Sequence, residues 1–102
     1  VCVLVDDMID TAGTITKAAD AIMAEGAAGV VIAATHAIFS GPAIERMQAC
    51  AAEEIIVTNT LPLREDQHFD GLTVLSIAPL ISAAIHEVFE DGSVTSLFGG
   101  RA

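Results

Sequence analysis

The chain has no tryptophan, no tyrosine and only four phenylalanines among 102 residues. Aromatic rings therefore contribute little to its interior. Hydrophobic residues still make up 53% of the sequence, enough for a real core. Val, Ile and Ala must fill that core, which suits layers of strands and helices. Basic residues are scarce as well: four Lys and Arg against 14 Asp and Glu give a net charge of -10. Such a surface repels nucleic acid and anionic membranes. An anionic ligand would have to be held by local backbone dipoles rather than by the overall field. Cys2 and Cys50 are the only cysteines. They lack metal-ligand spacing, so both are expected as buried thiols in a reducing, cytoplasmic setting. The opening residues do not read as a signal peptide, and no apolar run is long enough to span a bilayer.

The chain opens on Val1 rather than Met, inside the run Val1-Cys2-Val3-Leu4-Val5. An unbroken apolar run this short reads as a strand buried on both faces. Such a strand needs sheet neighbours, so upstream sequence is expected. Residues 1–102 then read as part of one domain in a larger protein.

Thr14 to Glu25 places Ile15, Ala18, Ala19, Ile22 and Met23 on one helical stripe, the pattern of a helix packed on a sheet. Gly26 and Gly29 end it. Val30 to Ala34 reads as a second buried strand. Pro42 suits the first position of the next helix, where no amide hydrogen is needed, and Ile44, Met47 and Ala51 share a face. Ile55 to Thr58 and Thr73 to Ile77 read as further strands, separated by a polar, irregular stretch from Thr60 to Leu72. Pro79 opens a last helix with Ile81, Ala84, Ile85, Val88 and Phe89 on one stripe, and Gly92 closes it. Strands alternating with helices predict an α/β fold with a mostly parallel sheet. In such sheets ligands bind beyond the carboxyl ends of the strands.

The segment Asp6-Asp7-Met8-Ile9-Asp10-Thr11-Ala12-Gly13-Thr14 lies at one of those ends. It has neither the G-x-G-x-x-G nor the G-x-x-x-x-G-K-[ST] phosphate signature. It has two other parts. Thr11-Ala12-Gly13-Thr14 joins strand to helix with small residues that let a ligand approach the backbone. The free amides of the helix start carry partial positive charge, and two threonine hydroxyls add donors. That is a cradle for a phosphate monoester. Asp6, Asp7 and Asp10 would repel phosphate but accept hydrogen bonds from sugar hydroxyls, and they suit Mg²⁺ held through water. Asp6 and Asp7 face opposite ways while the chain stays extended, so different roles are expected for them. Taken singly, an Asp near a helix start is a cap and Thr-Gly is a turn. Three acids followed by Thr-x-Gly-Thr after a buried strand read as a site for a phosphorylated sugar.

Val3 to Thr14 resembles the phosphoribosyl-pyrophosphate-binding motif shared by type I phosphoribosyltransferases and ribose-phosphate pyrophosphokinases. Ala12 stands where glycine is common. Ala34-Thr35-His36, Phe39-Ser40-Gly41-Pro42-Ala43, Val57-Thr58-Asn59-Thr60, Ala78-Pro79-Leu80 and Ser93 to Phe98 are similar to the carboxyl-terminal domain of the pyrophosphokinases, essentially from end to end. The resemblance implies a type I phosphoribosyltransferase-like domain, incomplete at its N-terminus. It also implies an enzyme that transfers diphosphate from ATP, with Mg²⁺, to C1 of ribose 5-phosphate, giving phosphoribosyl pyrophosphate and AMP. By resemblance, Asp6, Asp7 and Asp10 to Thr14 bind ribose 5-phosphate. Ser93, Thr95 and Phe98 fall in a tail that, in the family, contributes to a regulatory phosphate or ADP site between subunits. An edge strand anchored by Phe98 is the alternative for that tail. Family members form hexamers.

The family's ATP site, basic catalytic residues and main metal ligands lie mostly upstream of the loop. No catalytic residue or metal ligand is therefore assigned within this sequence, and the segment by itself is expected to be inactive. Lys17, off the apolar stripe, and Arg46, mid-helix, are poor substitutes. A type I phosphoribosyltransferase and a non-catalytic regulatory relative are the alternatives. His36 ends a strand and is expected either near a ligand or packed. His68 and His86 read as solvated, and no histidine pair has zinc-ligand spacing.

Overall fold

The computed structural model describes residues 1–90 and Leu97. The expected helix stop at Gly92 and the candidate regulatory residues Ser93, Thr95 and Phe98 lie outside the described residues. Four strands, β1 (Cys2–Ile9), β2 (Val30–Ala37), β3 (Glu54–Thr58) and β4 (Leu72–Leu75), form one sheet in sequence order. Every pairing is parallel. The helices are α1 (Gly13–Ala24), α2 (Ala43–Ala49) and α3 (Ala78–Phe89). The chain is thus α/β with an all-parallel sheet, as the alternating pattern predicts.

The core lies between one face of the sheet and helices α1 and α2. Val30, Ile32 and Ala34 of β2 and Ile55 and Val57 of β3 point into it, and Ala19, Ala43 and Met47 meet them from the helices. The alternation along β2, with Val30, Ile32 and Ala34 buried and Val31 and Ala33 only half-buried, marks a sheet covered on one side. The expected burial on both faces supposed upstream neighbours, and among the described residues only one face of the sheet is covered. In β1, Val3 is 59% and Val5 77% exposed. β1 is one of the two edge strands among the described residues, with β2 as its one neighbour, and no described element covers its second face. Cys2 is exposed for the same reason, not buried, while Cys50 is half-buried and donates its thiol to the Met47 carbonyl.

Other boundaries moved too. β1 continues four residues past Val5, through both acids to Ile9, because β2 runs on to Ala37 and keeps it paired: Met8 lies opposite His36, and Ile9 opposite Ala37. Pro42 precedes α2 as its cap residue instead of opening it. Ala51 lies beyond the helix and is exposed. The stretch after Thr60 is not wholly irregular. It holds a 3-10 turn over Glu65–Gln67, with Gln67 buried and its Oε1 accepting from the Arg64 amide at 2.8 Å. β4 ends at Leu75 rather than Ile77, since the Ile77 amide is taken by the side chain of Asn59.

α3 departs most from expectation. Its apolar stripe is present, but Ile81, Ile85, Val88 and Phe89 are exposed and α3 has no buried residue. Periodicity gives a helix an apolar face, but a neighbour must be present to cover it.

α1 ends as its glycine predicts. Gly26 takes φ 103°, its amide reaches the Met23 carbonyl, and the Ala27 amide reaches that of Ile22. That is a Schellman closure. Gly26→Ala should cost about 1–2 kcal/mol, because a Cβ disfavours the left-handed region. A urea titration should show a lower midpoint at unchanged slope.

Candidate functional site

The carboxyl end of β1 and the start of α1 enclose a cavity of about 180 Å³ lined by Asp6, Met8, Ile9, Asp10, Thr11, Ala12, Gly13, Thr14 and Ile15. Six of the seven residues expected to bind substrate therefore meet in one place. Asp7 does not line the cavity. It lies in the extended part of β1, where successive side chains leave on opposite faces. Asp7, expected among the binding residues, thus stands apart from the other six.

Several features shape the loop. Ala12 sits in the left-handed region at φ 65°, ψ 14°, and is 5% exposed. This conformation helps turn the chain between the end of β1 at Ile9 and the start of α1 at Gly13. No side chain caps α1. Its first amides are thus left for water or a ligand, where the helix dipole favours negative charge. Thr16 is buried and donates its hydroxyl to the Ala12 carbonyl at 2.6 Å, which pins the turn to the helix. The Asp6 carboxylate accepts from the Asp7 amide at 2.8 Å.

The segment after β2 braces the same loop. The amides of Ile38 and Phe39 both donate to the Ile9 carbonyl, at 3.0 and 3.1 Å, and the Ser40 amide donates to that of Asp10 at 2.8 Å. To make these bonds Phe39 adopts φ 56°. Its ring is buried and tilted against Phe69, centroids 6.4 Å apart. A bulky residue at positive φ persists only where its surroundings over-determine it. Here three main-chain bonds and a buried ring do so.

Arg46 also reaches the loop. Its Nη1 donates to the Thr11 carbonyl at 3.1 Å across 35 positions of sequence. The same nitrogen lies 2.9 Å from where a Cβ on Gly13 would stand. A Cβ at Gly13 would make the guanidinium shift. Sequence reasoning set Arg46 aside because one helical turn says nothing about what lies across from it.

His36, half-buried near the end of β2, has Nδ1 2.7 Å from the Thr60 hydroxyl. Thr58 donates its hydroxyl to the Thr35 carbonyl at 2.6 Å. This cluster ties β2 to the chain after β3, and His36 does not line the cavity. His68 and His86 are exposed, as read from sequence. Lys17 is exposed on α1. Among the described residues no three of His, Cys, Asp and Glu come together as a metal-ligand group. Asp6 and Asp10 share the cavity, which fits the way Mg²⁺ is bound by one or two carboxylates together with substrate phosphates. No described helix is long and apolar enough to cross a membrane.

Fold and cavity together define a parallel α/β domain with a strand–loop–helix pocket beyond the carboxyl end of a strand, where such sheets place their ligands. The chain belongs to the phosphoribosyl synthetase-associated domain family, which matches residues 1–99. It is 58% identical over 101 residues to the ribose-phosphate pyrophosphokinase of Mycobacterium tuberculosis, covering 99% of this chain and 31% of that protein. It is 57% identical over 97 residues to the ribose-phosphate pyrophosphokinase of Bifidobacterium longum, covering 95% of this chain and 28% of that one. The crystal structure of phosphoribosylpyrophosphate synthetase from Mycobacterium smegmatis superposes with a TM-score of 0.84 at 56% identity, over 89% of this chain and 30% of that chain. The chain thus spans about a third of the length of the relatives it matches.

Proposed function

We propose that this chain is the carboxyl-terminal, ribose 5-phosphate-binding part of a ribose-phosphate diphosphokinase, a transferase of nucleotide biosynthesis. The observation that carries this reading is the single cavity that joins Asp6 and Asp10 to the uncapped start of α1. The likeness to pyrophosphokinases over nearly the whole chain supports it. The 5-phosphate takes the amides and hydroxyls of Thr11 to Thr14. Asp6 and Asp10 accept hydrogen bonds from ring hydroxyls. That division follows from charge: anions go to the helix start, and donors go to the carboxylates.

The reaction transfers the β,γ-diphosphoryl group of ATP to the anomeric oxygen. C1–O attacks the β-phosphorus, and the bond from β-phosphorus to the α,β-bridging oxygen breaks, releasing AMP. The proton of the anomeric hydroxyl leaves to base or solvent. Catalysis of this kind rests mainly on positioning and on charge stabilisation. Mg²⁺, when bound, would neutralise phosphate charge, and Asp6 and Asp10 are the carboxylates of this chain that would hold it. The loop contributes orientation: holding the 5-phosphate and the ring hydroxyls fixes where C1–O points. The ATP site is assigned to the rest of a longer, cytoplasmic protein. Homohexameric assembly and regulation by phosphate or ADP accompany that reading.

The test is product analysis with the purified full-length protein. AMP should form from ATP only when ribose 5-phosphate is present. Release of pyrophosphate from phosphoribosyl pyrophosphate on addition of a nucleobase, with no AMP formed, would replace this reading by a phosphoribosyltransferase.

A further inference from the structure

We propose that Arg46 is a positioning residue of the phosphate loop, acting from behind it through the Thr11 carbonyl. The inference rests on the reading of the loop as a ribose 5-phosphate site. Arg46 lies in the last turn of α2, on an exposed face, and does not line the cavity. Its Nη1 nevertheless donates to the Thr11 carbonyl at 3.1 Å. Among the described residues the one ion pair is Arg64 with Asp66, so no described carboxylate pairs with the Arg46 guanidinium.

The consequence follows from peptide geometry. No peptide bond in the described chain is cis, and in a trans peptide the carbonyl and the amide N–H point in opposite directions. A guanidinium that holds the Thr11 oxygen on one side therefore turns the Ala12 N–H to the other. Arg46 is absent from the cavity lining and Ala12 is part of it. A hydrogen bond from a cation to a carbonyl also polarises the amide and makes its N–H a stronger donor. Ala12 meanwhile occupies a left-handed conformation that a residue with a Cβ adopts at a cost. The bond from Arg46 helps hold that conformation before any ligand arrives. Gly13 adjoins the device, since a Cβ there would stand 2.9 Å from the guanidinium nitrogen and press it away from its present place.

The experiment compares full-length wild type with Arg46→Ala, Arg46→Lys, Gly13→Ala and the Arg46→Ala/Gly13→Ala double variant. It reads hydrogen exchange of the loop amides without ligand, calorimetric binding of ribose 5-phosphate, and KM for ATP. Arg46→Ala should speed exchange at Ala12 to Thr14 and leave the amides of Met47 to Ala49 unchanged. Binding of ribose 5-phosphate should weaken about 10- to 100-fold, as expected for loss of a hydrogen bond to a charged group, while KM for ATP stays the same. Arg46→Lys should restore most of the binding, because one charged donor suffices for one carbonyl. Gly13→Ala should reproduce the loss yet add little on top of Arg46→Ala, the non-additivity of two changes to one bond.

Faster exchange throughout α2 would make Arg46 a structural residue and overturn the proposal. So would weakened binding with loop exchange unchanged, the mark of a direct phosphate contact. If wild type binds ribose 5-phosphate and Arg46→Ala binds it equally well, the role of Arg46 fails alone. If wild type forms no AMP from ATP and ribose 5-phosphate, the functional reading fails, while the exchange result still decides whether Arg46 holds the loop.

Discussion

Ala12→Val is expected to abolish measurable binding of ribose 5-phosphate, with the rest of the domain still folded. Ala12 is both buried and left-handed. A β-branched side chain is a genuine outlier at positive φ, and left-handed backbone already costs about 1–2 kcal/mol for a residue with a Cβ. Two more carbons at a buried position add up to about 1–3 kcal/mol of overpacking where they meet packed neighbours. The loop relieves this strain most easily by leaving the left-handed region. That rearranges the amides at the start of α1 and breaks the bond from Thr16 to the residue 12 carbonyl. Calorimetry with the full-length protein should show binding lost. Circular dichroism should show an unchanged helix content. Ala12→Gly provides the control: it removes the strain and the Cβ, and binding should persist.

Asp10→Asn and Asp6→Asn should each weaken ribose 5-phosphate about 10- to 100-fold, the range for replacing an ionised acceptor of a hydrogen bond by a neutral one. Asp7→Asn should have little effect, because Asp7 does not line the cavity. Inorganic phosphate supplies an internal check. It has no ring hydroxyls, so its competition at the site should survive Asp10→Asn. If carboxylate removal instead tightened phosphate and left the sugar unaffected, the acids would be acting only through repulsion. The division of labour between acids and amides would then be wrong.

The element order and the position of the loop were legible in the sequence because they rest on local rules. Small residues between an apolar run and an amphipathic stripe can only be a strand-to-helix turn, and Gly26 closes α1 where a left-handed residue is required. Boundaries were less legible. The continuation of β1 through Asp6 and Asp7 depends on β2 lying alongside, and no local preference of two acids predicts a strand. Phe39 shows the same limit. An aromatic residue at φ 56° has no signature in the sequence, since its cause is the pair of carbonyls at the end of β1.

Burial of the α1 stripe, with Ala19, Ile22 and Met23 in or against the core, is as expected, whereas other apolar faces lack a partner among the described residues. Val3, Val5 and the stripe of α3 are apolar as expected, yet they are exposed here. Hydrophobicity states that a face gains by being covered, and only the arrangement of elements states whether it is covered.

The sequence by itself therefore determined the α/β order, the strand-loop-helix turn at Thr11 to Thr14 and the chemistry of its parts. These depend on residue type and on spacing of a few positions. Only the tertiary structure decided that Asp6 and Asp10 share a cavity while Asp7 does not, and that Arg46 reaches back over 35 positions to hold the Thr11 carbonyl. The physical reason is range. Capping, helical period and backbone preference act within a turn or two, whereas a guanidinium finds its carbonyl only after sheet and helices have packed.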